Sequence, residues 1–338
     1  MEVYNTLPWI RTELILLPAG ASMAGDRVLD ERGEEVPSQR LSTGELAFLA
    51  GEVPAEGMRS YRVEEGGAPQ PGSPSATATL ATSAYTVQVD PATGAIRSLV
   101  HAPSGRELVG ADPGGLNQYL YVPGRDPATA VSAGPGSARL KEGGPLVWSV
   151  EITAPGEGLR EPMVAEIRLV EGLDRVDITN RIAKAWVLDP EAVLFRFPFA
   201  LDQPQVRIDV PFGSFRPELD QVPGSSKNYY SVQRWVDLTD ARGGVTLTTV
   251  DAPLIQLGEI RTDAIVTGWL EEAEPSATLF SYVMNNYWET NYRAAQDDEV
   301  TFHYSLRAHG PFDEEAADRF GLEEARPLVV WIPEGTAP

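Results

Sequence analysis

Val164-Ala-Glu-Ile-Arg-Leu-Val170, the joint Glu171-Gly-Leu-Asp-Arg175, and Val176-Asp-Ile-Thr-Asn-Arg-Ile182 together decide the fold. Ile167 and Leu169 alternate with Glu166 and Arg168, a period of two that puts apolar side chains on one face of a pleated strand. A second strand follows at Val176 to Ile182, and Gly172 between the two makes an antiparallel hairpin the economical reading. The same grammar recurs outward. Tyr85 to Val100 reads as strand, turn at Asp90-Pro-Ala-Thr-Gly94, strand, and a turn at Pro103-Ser-Gly105 leads to Glu107-Leu-Val109. Trp235-Val-Asp-Leu238 breaks at Asp240 to Gly244 and resumes as Val245 to Val250. Glycine (31) and proline (28) punctuate short alternating segments throughout, so the chain reads as all-β. The helical candidate is Glu314 to Phe320, after the break at Pro311-Phe-Asp313.

The chain has 338 residues, 42% of them hydrophobic, enough for extensive cores. Its 49 acidic and 27 basic residues leave a formal charge of −22, which repels phosphate backbones and anionic membrane surfaces and makes nucleic acid an unsuitable partner. With no cysteine there are no disulfides, thiolate ligands or cysteine nucleophiles. The start, with Glu2 and Arg11, lacks the basic and apolar regions of a signal peptide, and no apolar stretch is long enough to span a bilayer. The expectation is a cytoplasmic protein that does not enter membranes.

Glu64-Glu-Gly-Gly-Ala-Pro-Gln-Pro-Gly-Ser-Pro-Ser75 cannot contribute to a core and marks a linker. The expected organisation is a small, incomplete β-domain over 1–64, the linker over 65–78, one large sandwich over 79–325 and a tail over 326–338. A sandwich of about sixty residues is marginal alone, so the first unit is expected to borrow partners from elsewhere.

The equipment of a self-sufficient enzyme is hard to find. The three histidines, His101, His303 and His309, form no HExxH or HxH motif, and a solvated or ordinarily hydrogen-bonded role is the plainer reading of the last two. No GxSxG elbow is present, and Gly243-Gly244 lies between strands as a hairpin turn rather than a phosphate cradle. The runs Glu271-Glu-Ala-Glu274 and Asp297-Asp-Glu299 read as solvated loops rather than a glycosidase carboxylate pair. The unusual segment is Tyr282-Val-Met-Asn-Asn-Tyr-Trp-Glu-Thr-Asn-Tyr292, with three asparagines and four aromatics around one acid. Aromatic faces and amides are what a sugar needs, and equally what a core strand with Asn turns would contain. Ser225 to Trp235 carries the same two readings.

Taken together, these segments resemble the C-terminal β-region of glycoside hydrolase family 38, the α-mannosidases, in a bacterial-type branch. Asn5-Thr-Leu-Pro-Trp-Ile-Arg-Thr12, Val36-Pro-Ser-Gln39, Glu45-Leu-Ala-Phe-Leu-Ala50 and Val53-Pro-Ala55 look like the small β-domain that follows the catalytic part. Asp90 to Leu99 with Ser104-Gly-Arg-Glu-Leu108 looks like the opening of a galactose-mutarotase-like supersandwich. Phe195-Arg-Phe-Pro-Phe199, Gln233-Arg-Trp-Val-Asp237, Asp251-Ala-Pro-Leu-Ile-Gln-Leu-Gly258 and Met284 to Tyr292 are similar to the mannosidase pattern in order and spacing.

The resemblance implies a parent enzyme whose nucleophilic aspartate and zinc ligands lie in an N-terminal domain that this sequence does not contain. The expected chain is therefore a fragment that is inactive alone, holds no cofactor, packs against the parent's catalytic domain and contributes to the rim of an α-mannoside site. The residues expected there are Asn285, Asn286, Trp288 and Asn291, with Arg234 and Tyr229 behind them. Two other functions compete: a stand-alone lectin-like carbohydrate-binding sandwich, and an aldose epimerase, which would need a histidine and a carboxylate facing each other across a sugar pocket.

Overall fold

The computed structural model describes residues 1–67, 79–112, 114–262, 267–287 and 294–333. Among these the chain is all-β and antiparallel, with a single multi-turn helix. The hairpin that decided the fold is present: Met163–Val170 pairs with Val176–Ala183, Ile167 opposite Ile178, and Gly172 turns the chain at φ +90°. That dihedral lies in the left-handed region that only glycine enters without cost.

Both strands belong to a nine-stranded sheet running in the order Ser137–Gly143, Val147–Ala154, Met163–Val170, Val176–Ala183, Glu299–His309, Gly243–Thr249, Trp235–Asp240, Gln205–Val210, Gly213–Phe215. Facing it is a six-stranded sheet ordered Val131–Ser132, Gln118–Pro123, Glu191–Pro198, Thr278–Asn285, Leu254–Leu257, Tyr230–Ser231. Their inner faces meet in one continuous core: Phe195 and Phe197 of the six-stranded sheet pack on Tyr304 of the other, the closer ring centroids being 5.2 Å apart. Each such ring, fully buried, stabilises the fold by about 1.5–3 kcal/mol. The four-stranded sheet Arg106–Glu107, Ile96–His101, Tyr85–Val89, Thr79–Ala81 closes the same core with Tyr85, Val87 and Leu99, completing a large supersandwich.

The N-terminal unit has its own small core of Val3, Ile15, Leu17, Leu46, Phe48 and Tyr61 between a three-stranded and a five-stranded sheet. Of the stretch 326–338, expected as a tail, the described residues 326–333 contribute part of that unit. Leu328 joins the small core, and Val329–Trp331 pairs with Glu2–Tyr4, satisfying a backbone edge that would otherwise be open. A sixty-residue unit thus does borrow a strand, from the far end of the described chain.

The helix also differs from expectation. It runs Glu314–Ala325, past Phe320, capped by the Asp313 side chain accepting from the Ala316 N–H. Gly321, one residue past the expected end at Phe320, lies within the helix. In the structure it is an approach point: a Cβ there would sit 2.9 Å from the Trp235 ring and 3.0 Å from Arg234 Cβ. Trp235 Nε1 donates to Asp318 Oδ1 at 2.9 Å, so the helix lies directly on the nine-stranded sheet. No helix among the described residues is long and apolar enough to cross a membrane.

Candidate functional site

Strands Glu191–Pro198 and Thr278–Asn285 are neighbours in the six-stranded sheet, with Ala192 opposite Asn285 and Val193 opposite Met284. A bulge between Val193 and Leu194 bends the pair where the ladder ends. There a cleft of about 260 Å³ opens, walled by Lys184 and Glu191 on one side and by Met284, Asn285, Ala295 and Gln296 on the other.

Its interior is an ion pair. Lys184 Nζ lies 2.6 Å from Glu191 Oε1 and also donates to the Ala185 carbonyl at 2.9 Å, and the two side chains are only 2% and 5% exposed. Two charges this deep are tolerated because they neutralise each other; removing either would strand the other at a cost of about 3–5 kcal/mol. The Tyr121 phenol hydrogen-bonds this carboxylate and is pushed well up in pKa, by burial first and by that hydrogen bond second. Asn285 and Gln296 are exposed at the mouth, and Trp186, in the loop from Lys184 to Glu191, is half-exposed.

Of the residues expected at a sugar rim, the structure brings Asn285 and Asn286 to this cleft and gives them different work. Asn285 is free to meet solvent. Asn286 is buried, its Oδ1 accepting from the Glu191 N–H at 2.6 Å and its Nδ2 donating to the carbonyls of Val187, Asp189 and Ala294. The Nδ2 donors are engaged and Oδ1 accepts from Glu191, so Asn286 clasps the loop that positions Glu191. Trp288 and Asn291 lie outside the described residues.

Arg234 and Tyr229 are not at the cleft. Arg234 is held by Asp209, Nε to Oδ2 at 2.8 Å, under the helix, and Tyr229 is exposed in the loop before Tyr230–Ser231. Its neighbour Asn228 is occupied with the Gly268 carbonyl and the Leu270 N–H. The residues not anticipated are Lys184, Glu191 and Gln296. A signal existed: Lys184 is one of three lysines in the sequence, and Glu191 abuts the apolar run Ala192-Val-Leu-Phe195.

The histidines are separate. His101 faces Ser104 at 2.8 Å, His303 faces Asp251 at 2.6 Å, and His309 faces Asp237 at 2.7 Å. Burial alone would lower the His309 pKa, but the Asp237 carboxylate outweighs it and the net shift is upward. Each histidine has at most one carboxylate, and among the described residues no group of three His, Cys, Asp or Glu could hold a metal ion. These residues do not fit the zinc centre that the mannosidase resemblance implies for the parent.

No curated protein matches the chain in sequence. An α-mannosidase from Enterococcus faecalis V583 superposes on 97% of this chain and 45% of its own, with TM-score 0.69 and 14% identity. A protein of glycosyl hydrolase family 38 from Enterococcus faecalis does so over 97% and 46%, with TM-score 0.66 and 14% identity. The chain thus spans less than half the length of these two structures, and at such identity the likeness speaks for the fold. A galactose mutarotase-like protein from Clostridium acetobutylicum covers 69% of this chain and 94% of its own at TM-score 0.42 and 10% identity; the supersandwich assignment rests on the sheets themselves. Residues 80–252, just over half of the chain, match the C-terminal domain of glycosyl hydrolases family 38, and the chain belongs to that family.

Proposed function

We propose that the chain is the non-catalytic β-region of a zinc-dependent α-mannosidase, packing against a catalytic domain carried elsewhere in the parent and lending Asn285 to the rim of its sugar site. The observation that carries this reading is the extent of the superposition: 97% of this chain, small N-terminal unit and supersandwich together, follows 45% of an α-mannosidase.

The test is the coding sequence on the 5′ side of the Met1 codon. A continuous frame encoding His-x-Asp zinc ligands and a nucleophilic aspartate supports the reading. An unrelated frame there contradicts it and favours the second reading, a carbohydrate-binding sandwich acting alone, for which the exposed Asn285 and Gln296 and the half-exposed Trp186 speak.

A further inference from the structure

We infer that the braced loops 216–229 and 267–276, with Trp269 at their centre, are the surface on which the parent's catalytic domain docks, through an apolar face ringed by lysine or arginine on that partner. The inference rests on the reading above for the identity of the partner and goes beyond it in assigning the surface.

Large apolar side chains stand in water here on a backbone that cannot retract them. Leu219, Val222, Tyr229 and Trp269 are all exposed, Val222 by 75% and Trp269 by 67%. The buried Asn228 side chain fixes the chain on either side of Trp269: its Nδ2 donates to the Gly268 carbonyl at 2.8 Å and its Oδ1 accepts from the Leu270 N–H at 3.0 Å. Glu218 ties the two loops together, accepting from the Ala273 N–H at 2.6 Å, and Lys227 Nζ lies 2.8 Å from the same carboxylate. Arg216 closes on Asp220 with Nε and Nη2, at 2.8 and 2.9 Å. Loops cross-braced in this way are ordered before any partner arrives, which removes a large part of the entropy that association otherwise costs. Trp and Tyr presented so are the side chains that dominate binding energy at protein interfaces.

The charge around Trp269 selects among the surfaces that could cover it. Arg216 and Lys227 are neutralised by Asp220 and Glu218, whereas Glu271, Glu272 and Glu274 follow Trp269 in its own loop and are exposed. Beside Leu219 a groove of about 450 Å³ opens between Pro204, Pro217 and Pro275, with Glu272 and Glu274 on its wall. This combination fits a protein face that offers an apolar depression to the indole and basic side chains to the glutamates. A second copy would set the same glutamates against each other, and an anionic bilayer would meet them and a chain of net charge −22. More than half of the α-mannosidase that superposes on this chain lies outside the shared fold, a body of protein large enough to cover such a face.

Hydroxyl-radical footprinting, read by mass spectrometry, compares Trp269 in this chain alone with Trp269 in the undivided parent. The expected result is oxidation about tenfold slower in the parent, because an interface anchor is desolvated there. Trp269→Glu should leave the melting temperature of the isolated chain unchanged, the side chain being exposed, and lower that of the parent. Equal oxidation of Trp269 in the two proteins, or a Trp269→Glu effect on the isolated chain as large as on the parent, would overturn the inference and leave the mannosidase reading in place. Dimerisation of the isolated chain in sedimentation velocity, abolished by Trp269→Glu, would overturn it too and give the surface to a second copy. An unrelated frame upstream of the Met1 codon removes the partner and overturns both.

Discussion

Arg175 closes on Glu13 with two hydrogen bonds, Nη1 to Oε2 at 2.9 Å and Nη2 to Oε1 at 2.6 Å, joining the N-terminal strand Arg11–Leu17 to the nine-stranded sheet. The same guanidinium meets Asp177 at 2.9 Å and Glu324 of the C-terminal helix at 2.9 Å. One buried cation therefore ties three elements together. Arg175→Met should leave three carboxylates facing one another and lower the unfolding free energy by about 3–5 kcal/mol. Urea denaturation checks this, and a change within about 0.5 kcal/mol would mean that the cluster is solvated and weak.

The same cluster sets a pH dependence. Burial first, then the neighbouring Asp177 and Glu13, overcome Arg175 and push the Glu324 carboxyl up to about 7 from its ordinary 4.5. The folded state thus holds a proton that the unfolded state releases at lower pH. Its contribution is full below about pH 4.5 and lost as pH rises through about 7, a span on the order of 3 kcal/mol. His309, raised by Asp237, acts in the same direction: its contribution is present below its ordinary 6.5 and lost as pH rises above it. Thermal unfolding should accordingly show stability falling from pH 5 to about 8, and Glu324→Gln should flatten the slope, leaving the smaller part due to His309.

Gly321→Ala opposes two effects. Alanine gains about 1 kcal/mol of helix propensity over glycine in a helix interior. Its methyl would stand 2.9 Å from the ring of Trp235, a fully buried side chain with no room to retreat, and overpacking of this kind costs about 1–3 kcal/mol. The clash should win. The variant is expected to melt lower than the parent, and a higher melting temperature would show that the helix can ride away from the sheet.

Asn285 and Asn286 are adjacent and should respond oppositely. Asn286→Ala removes four hydrogen bonds to buried backbone, a loss of about 2–4 kcal/mol, and frees the loop before Glu191. Asn285→Ala, at an exposed position, should stay within about 0.5 kcal/mol of the parent. Comparing the two by denaturation separates clasp from rim.

Much of the fold was legible because strands announce themselves locally. The alternation around Ile167 and Leu169 with Gly172 behind it specifies a hairpin without outside help, and Ile167 does pair with Ile178. What was not legible depends on contacts far apart in sequence. Val329–Trp331 becomes a strand because Glu2–Tyr4 offers it an edge, and Gly321 continues a helix because Trp235 lies beneath it. The site follows the same division. Residue types drew attention to Asn285 and Asn286, but only three-dimensional placement shows that Asn286 spends its amide on the Glu191 loop and that Arg234 spends its charge on Asp209. Lys184 and Glu191, seven positions apart, look unremarkable until the fold buries them together.

We propose that this member of a glycoside hydrolase family contributes no catalytic centre of its own. Zinc-supplemented hydrolysis of an aryl α-mannoside by the purified chain tests it most directly. The account predicts a rate no different from that of buffer with zinc. Zinc-dependent turnover that a single Asp or Glu substitution within the chain abolishes would contradict it.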